Sequence, residues 1–377
     1  MSASKTMKSL VGLLGAVLTF APAVAMADYR LNLHQGVTKI SNEIYDLHML
    51  VLWIVTIVGI GVFAVMIYSI INHRKSKGVK PATFHESTAV EVIWTIIPFV
   101  ILVAIAVPAT KTLLYMDDTS NSDLSIKVVG WQWKWEYDYV DNGVRFFSKL
   151  ADASEKASKR GSGVDVTKVE NYLLDVDKPM VVPVNKKVRL LITGNDVIHS
   201  WWVPQLGVKH DAIPGHINES WFKAEKVGVY RGQCAELCGQ GHGFMPIVVK
   251  VVSENDYKGW VEEQKKAEQA AAAGSNKVFT KEELMKQGEQ VYNANCAACH
   301  QPNGQGLPGV FPALAGSKVA TGPKAEHIHT VVHGRPGTAM QAFGTQLKPA
   351  EIAAVITFER NSFGNHTGDI VQPSEIK

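Results

Sequence analysis

The sequence predicts a multidomain protein in three parts: a two-helix transmembrane hairpin, an all-β sandwich and a small all-α module. Three observations carry this. Two uncharged apolar runs lie before Tyr115, a period-two texture runs from Ser125 to Val252, and the last hundred or so residues carry a Cys-Ala-Ala-Cys-His stretch among helical signals. At 377 residues the chain is also too long for one ordinary domain.

The hairpin follows from hydrophobicity and charge. Lys5 and Lys8 precede the apolar run LVGLLGAVLTF, and the small residues of AVAMA end at Ala27, so residues 1–27 read as a cleaved secretory signal. An uncleaved first anchor is the alternative, although the run is short for a span. Within residues 28–118, about 49–71 and about 92–110 are each apolar enough to cross a bilayer, with Pro98 and Pro108 as expected kinks in the second. The connection between them holds His73, Arg74, Lys75, Lys77 and Lys80 against only Glu86 and Glu91, which puts it on the cytoplasmic side and exports everything after about Tyr115. Over the whole chain 38 Lys and Arg nearly balance 35 Asp and Glu, so nothing argues for nucleic acid.

The exported portion alternates in SIKVVGWQWKWEYDY, VVPVNKKVRLLITG, ESWFKAEKVGVY and MPIVVKVV, which predicts strands of a sandwich over 119–255. Residues 148–167 lack periodicity and read as a surface insertion. Residues 256–279 read as a linker, half helix-forming and then a small flexible tract ending near Asn276. In 280–377, Thr280 to Glu283 forms a capping box and Pro349 suits the first turn of a terminal helix.

The chemistry concentrates in GQCAELCGQGHGFMP. Cys234, Cys238, His242 and Met245 can all reach one point, and His199, at the end of an earlier strand, supplies a second imidazole. Three readings compete. A disulfide suits an exported compartment but leaves both histidines and the methionine as coincidences. Structural zinc is satisfied by two Cys and two His. Copper alone makes use of the thioether, and two cysteines, each able to bridge, favour two copper ions over one.

CAACH, Cys296 to His300, is the c-type haem attachment pattern: Cys296 and Cys299 bond the porphyrin and His300 binds iron. A zinc or redox C-x-x-C would leave the histidine unexplained. The sixth ligand must lie downstream, among Met340, His327, His329 and His333. Met340 sits in the Gly- and Pro-punctuated loop GRPGTAMQAFG, whereas the histidines fall on an expected helix, and a methionine would raise the haem potential.

The two spans with VEVIWTIIP, WQWKWEYDY, DVIHSWWVP and CAELCGQGHGFMP, in this order from about Tyr45 to Val252, resemble subunit II of the haem–copper cytochrome c oxidases. From about Thr280 to Gly364 the chain resembles a small cytochrome c domain, a fusion similar to the oxidases that carry their own cytochrome. The resemblance implies a cupredoxin sandwich with the dinuclear copper centre CuA, held by His199, Cys234, the carbonyl of Glu236, Cys238, His242 and Met245. It implies a magnesium ion at the boundary with subunit I, reached by the Glu236 side chain. Trp133 matches the family's electron-accepting tryptophan, although period two alone reads Trp131, Trp133, Trp135, Tyr137 and Tyr139 as one packed strand face. Glu91 reads from sequence as a boundary residue, and the resemblance makes it the mouth of a proton route into subunit I.

The function these readings imply is the redox subunit of a respiratory cytochrome c oxidase in a bacterial inner membrane. Electrons would pass from haem c to CuA and on to haem in subunit I, where oxygen becomes water with proton translocation. Subunits I and III, membrane lipid and a cytochrome c or other periplasmic donor are the expected partners. Nitrous oxide reductase lacks the paired spans, and quinol oxidase subunit II lacks the copper ligands. A membrane-tethered copper-binding or copper-delivery protein with an accessory cytochrome is the alternative, but delivery favours few, exposed ligands.

Overall fold

The computed structural model describes residues 32–273, 277–344 and 346–376; the expected signal, 1–27, and the end of the expected flexible tract, 274–276, lie outside the described residues. The chain divides into two units, one of Met1–Gly36 and Ser41–Thr112, the other of Val37–Ile40 and Leu113–Lys377.

Two long helices, α1 (Lys39–Asn72) and α2 (Thr88–Asp117), dominate the first unit. Both run past the apolar stretches at each end, and α2 continues through Pro98 and Pro108 without ending. Large apolar side chains all round them are bare, Trp53, Ile57, Phe63, Trp94 and Phe99 among them. Such surface is costly in water and costs nothing in hydrocarbon, which suits a membrane hairpin. Between the helices, a short 3₁₀ turn at Lys75–Lys77 carries the basic connection.

In the second unit ten strands make a sandwich: β1 (Leu124–Trp131), β2 (Lys134–Tyr139), β3 (Val144–Ser148), β4 (Met180–Pro183), β5 (Val188–Gly194), β6 (His199–Val203), β7 (Val208–Ala212), β8 (Asn218–Phe222), β9 (Gly228–Cys234) and β10 (Pro246–Val252). One sheet has the order β3-β2-β1-β5-β8 and the other β4-β10-β9-β6-β7, with β1–β5 and β4–β10 parallel and the other pairs antiparallel. Alternation places Ile126 and Val128, Val188, Leu190 and Ile192 inside from one sheet, and Met180, Val182, Val249 and Val251 from the other. Tyr139 ties the sheets together, donating its hydroxyl to Val181 O and accepting from Val181 N, each at 2.9 Å.

The aromatic stretch is not one strand. The chain turns at Gln132 and Trp133, so Trp131 belongs to β1, while Trp135, Tyr137 and Tyr139 on β2 are buried in the core. The insertion is not featureless either. A short helix, α3 (Asp152–Ser158), opens with Asp152 and Glu155 at its positive end and buries Ser154 and Ala157. The segment read as a linker begins as α4 (Glu254–Ala273), whose Tyr257 and Val261 are buried and whose Trp260 packs 5.1 Å from the Tyr139 ring.

The last module is helical: α5 (Lys281–Asn295), α6 (Ala297–His300), α7 (Lys318–Thr321), α8 (Lys324–His333) and α9 (Pro349–Asn361). The capping box forms as expected, with Thr280 N donating to Glu283 and Glu283 N to the Thr280 hydroxyl. Helices α5 and α9 cross at Gly288, where a Cβ would stand 2.2 Å from the carbonyl oxygen of Ala354; only glycine allows that approach. Buried Arg360 joins α9 to α7, donating to Ala320 O at 3.0 Å and Gly322 O at 2.9 Å and pairing with Asp369.

Candidate metal and haem centres

At one end of the sandwich, β6 begins at His199 and β9 ends at Cys234, side by side because Trp201 pairs with Cys234 across the sheet. The loop between β9 and β10 then folds over this corner, closed by Cys234 N donating to Met245 O at 3.3 Å. The donor atoms of His199, Cys234 and Cys238 all lie within 4.8 Å of one another. The two Sγ atoms are 3.8 Å apart, Met245 Sδ is 3.5 Å and His242 Nδ1 3.6 Å from Cys238 Sγ, and the Glu236 carbonyl is 3.3 Å from Cys234 Sγ. Every ligand named from the sequence converges here. Both cysteines are free thiols, which removes the disulfide reading.

His199 is fully buried. Its Nε2 is held at 2.8 Å by Asp196, and its Nδ1 finds no hydrogen-bond partner. A buried nitrogen left unpaired beside two thiols is what a metal ligand looks like without its metal bond. Burial opposes protonation of this imidazole, but Asp196 and Cys234 outweigh it and raise its pKa. Cys234 is pushed down to about 3, first by a hydrogen bond from Cys238 and, against burial, with help from His199; the same pairing pushes Cys238 up. One thiol is thus ready to ionise and to bind a soft cation. Asp196 was not singled out in the sequence, although it stands three residues before His199.

Trp133 lies off both strands, in the β1–β2 turn, partly buried against the core. Its indole N–H donates to Cys238 O at 3.1 Å, and Gln132 Nε2 donates to the same carbonyl at 3.0 Å. The ring rests on Gly241, where a Cβ would come within 2.3 Å of it. Trp133 also lines a cavity of about 700 Å³.

That cavity belongs to the helical module and is lined by Cys296, Cys299, His300 and Met340, with Trp133 and Lys134 at its sandwich side. Glu155 and Ser158 of the insertion border it as well. His300 Nδ1 bonds to Pro312 O at 2.9 Å, which leaves Nε2 for iron. Burial raises the pKa of both Cys296 and Cys299. Of the candidate sixth ligands, exposed His329 and His333 do not line the cavity. His327 does, with Nε2 held by Glu359 at 2.9 Å and Nδ1 unpartnered, so it stands beside Met340 as the second candidate. Lys134 sits between the rings of Phe147 and Phe343, and burial lowers its pKa to about 8.

The remaining two candidates are simpler. Glu236 is exposed, its side chain on a second hollow shared with His210 and Asp211. Glu91 is exposed in the first turn of α2, in the other unit.

Comparison with known proteins covers most of the chain. Residues 124–252 match the family profile for the periplasmic domain of cytochrome c oxidase subunit II, and residues 26–112 match that for its transmembrane domain. Residues 283–358 match the profile described as cytochrome c oxidase, cbb3-type, subunit III. A probable cytochrome c oxidase subunit 2 of Rickettsia bellii is 40% identical over 274 residues, spanning 72% of this chain and 97% of the relative. Cytochrome c oxidase subunit 2 of Cereibacter sphaeroides is 38% identical over 234 residues, 60% of this chain and 77% of the relative. The crystal structure of the periplasmic domain of subunit II of cytochrome oxidase from Bradyrhizobium japonicum is 46% identical over 40% of this chain and 98% of that one, with a TM-score of 0.35.

Proposed function

Because the chain belongs to the cytochrome c oxidase subunit II family, carrying a CuA copper domain and a C-terminal cytochrome c domain, we propose that it is the electron-receiving arm of its oxidase, relaying electrons from haem c through CuA to haem in subunit I. In this reading His199, Cys234, the Glu236 carbonyl, Cys238, His242 and Met245 hold the copper pair. Cys296 and Cys299 would attach haem c, and His300 and Met340 would bind its iron. The bound metals supply reversible one-electron chemistry, and the protein supplies their spacing and environment.

The single observation that carries the reading is the shared wall. Trp133 lines the haem cavity and also bonds to the backbone of Cys238. Its indole therefore offers a short conjugated bridge between the two centres. Asp196 fixes His199 so that Nδ1 points at the thiols, and Pro312 fixes His300 in the same way. Burial of Cys234, Cys238 and Met245 excludes water and side oxidation at the copper corner.

Further parts of the proposal concern the assembly. The Glu236 carboxylate holds a magnesium ion at the boundary with subunit I, and Glu91 opens a proton route into that subunit. Subunit III and a soluble or membrane-bound cytochrome c complete the partners, in a bacterial inner membrane with both redox domains on the periplasmic face. The bare apolar helices and the basic connection between them support that orientation.

The test is Cys234→Ser and Cys238→Ser, each in the whole oxidase. Each should abolish the mixed-valence copper spectrum and haem-to-oxygen electron flow while haem c stays covalently attached. Retention of two coppers with an unchanged spectrum in either variant would refute the bridging role.

A further inference from the structure

We propose that Gln341 is the residue that seats the haem module on the copper domain and couples the two centres, an assignment that rests on the electron route above. Gln341 directly follows Met340, and its amide reaches out of its own module. Gln346 Nε2 donates to Gln341 Oε1 at 3.3 Å, so the NH₂ end is turned toward the sandwich. There it donates to Gln132 O at 3.1 Å and to Asp196 Oδ2 at 3.3 Å. Among the described residues, both hydrogen bonds that join the two modules come from this one side chain, and no ion pair joins them.

Where those bonds lead matters more than their number. Asp196 Oδ2 also accepts from Gln132 N, while Oδ1 accepts from Val197 N and from His199 Nε2, each at 2.8 Å. One branch therefore runs from Met340 along the backbone to Gln341, across one hydrogen bond to Asp196 and across a second to His199. The other runs to Gln132, whose side chain holds the Cys238 carbonyl, and to its neighbour Trp133. Both branches end on residues of the copper loop corner. The step they serve moves one electron only: ferrous haem becomes ferric, the oxidised copper pair gains that electron, and no bond or proton changes hands.

Two consequences separate this from a packing role. A hydrogen bond to a carboxylate is among the stronger neutral-to-charged contacts, so its loss should lower the docking equilibrium constant about tenfold, equivalent to about 1.4 kcal/mol. Asp196, relieved of one donor, would also draw harder on the His199 N–H, making the imidazole a stronger donor to copper and lowering the copper potential.

The experiment uses the whole oxidase with haem and copper loaded. Haem c is reduced by a flash-activated small dye, the haem-to-copper rate is followed, and the copper midpoint potential is measured separately. Gln341→Ala should slow transfer, by up to about tenfold, and lower that potential. Gln341→Glu, nearly isosteric but placing a carboxylate against Asp196, should be worse than alanine, and Gln341→Lys, which keeps a donor, should be milder. A glutamate variant milder than alanine, or alanine and glutamate variants with unchanged rate and potential, would overturn the assignment. Transfer already absent in the unmodified chain would instead sink the route itself, and the assignment with it.

Discussion

Trp133→Phe separates the conducting role proposed for the indole from its structural one. The change removes the N–H that donates to Cys238 O at 3.1 Å, but Gln132 Nε2 still donates to that carbonyl at 3.0 Å, so no buried acceptor is orphaned. The lost bond is worth about 0.5–1.5 kcal/mol. The vacated part of the ring adds about 1–2 kcal/mol, at the lower end of large-to-small substitutions because a phenyl ring still rests on Gly241. The total, about 1.5–3.5 kcal/mol, is smaller than the stability of an ordinary domain. None of the copper donors moves, so the copper spectrum and midpoint potential should be unchanged. What should fall, by an order of magnitude or more, is the haem-to-copper transfer rate after flash reduction, because the bonded edge of the bridge is gone. A rate equal to that of the unmodified protein would refute the conducting role. Loss of the copper spectrum would refute it differently, by making Trp133 a support of the metal site.

Met340→Ala should leave haem attached through Cys296 and Cys299 but lower its potential and open the iron to external ligands; an unaltered spectrum and potential would transfer the role to His327. Lys134 has its pKa lowered by burial from 10.5 to about 8, so its charge is a burden on the folded state that is complete below about pH 8 and relieved as pH rises toward 10.5. The thermal midpoint of the unmodified protein should therefore rise across that window relative to Lys134→Met, and a constant difference between the two would show that Lys134 keeps its ordinary pKa.

The copper corner was legible because its chemistry is local. Four of its side chains fall within twelve consecutive residues, and a thioether among thiols and imidazoles has few uses. The Cys-Ala-Ala-Cys-His stretch that lines the cavity of the helical module was legible for the same reason. Period two failed at Trp133, since alternation continues straight through a turn that neither Gly nor Pro marks, and only the register of β1 against β2 reveals the corner. The helix in the insertion is seven residues long, too short to show a periodic face. Asp196, Arg360 and Gln341 escaped for another reason: each is a single polar residue whose meaning lies in distant partners. Gln341 and Asp196 are 145 positions apart, and Arg360 reaches a carbonyl 40 positions away. No window along the chain contains both ends of such a bond.

The burial of the copper corner also decides between relay and delivery. His199, Cys234, Cys238 and Met245 are at most 3% exposed, and only His242 is half-open to solvent. A delivery site must release its metal to a partner, which requires thiolates that an incoming ligand can reach. A relay must instead keep the same donor positions in both oxidation states, because any movement of ligands would slow each transfer. Here the donors are held from outside: His199 by Asp196, the loop by the bond from Cys234 N to Met245 O, and the Cys238 carbonyl by both Gln132 and Trp133. Three of the residues that clamp these candidate ligands also meet the haem module: Gln132 and Trp133 line its cavity, and Gln132 and Asp196 accept from Gln341. Rigidity at the copper and contact with the haem therefore come from one set of residues, an economy that serves electron relay and would only hinder the release of copper.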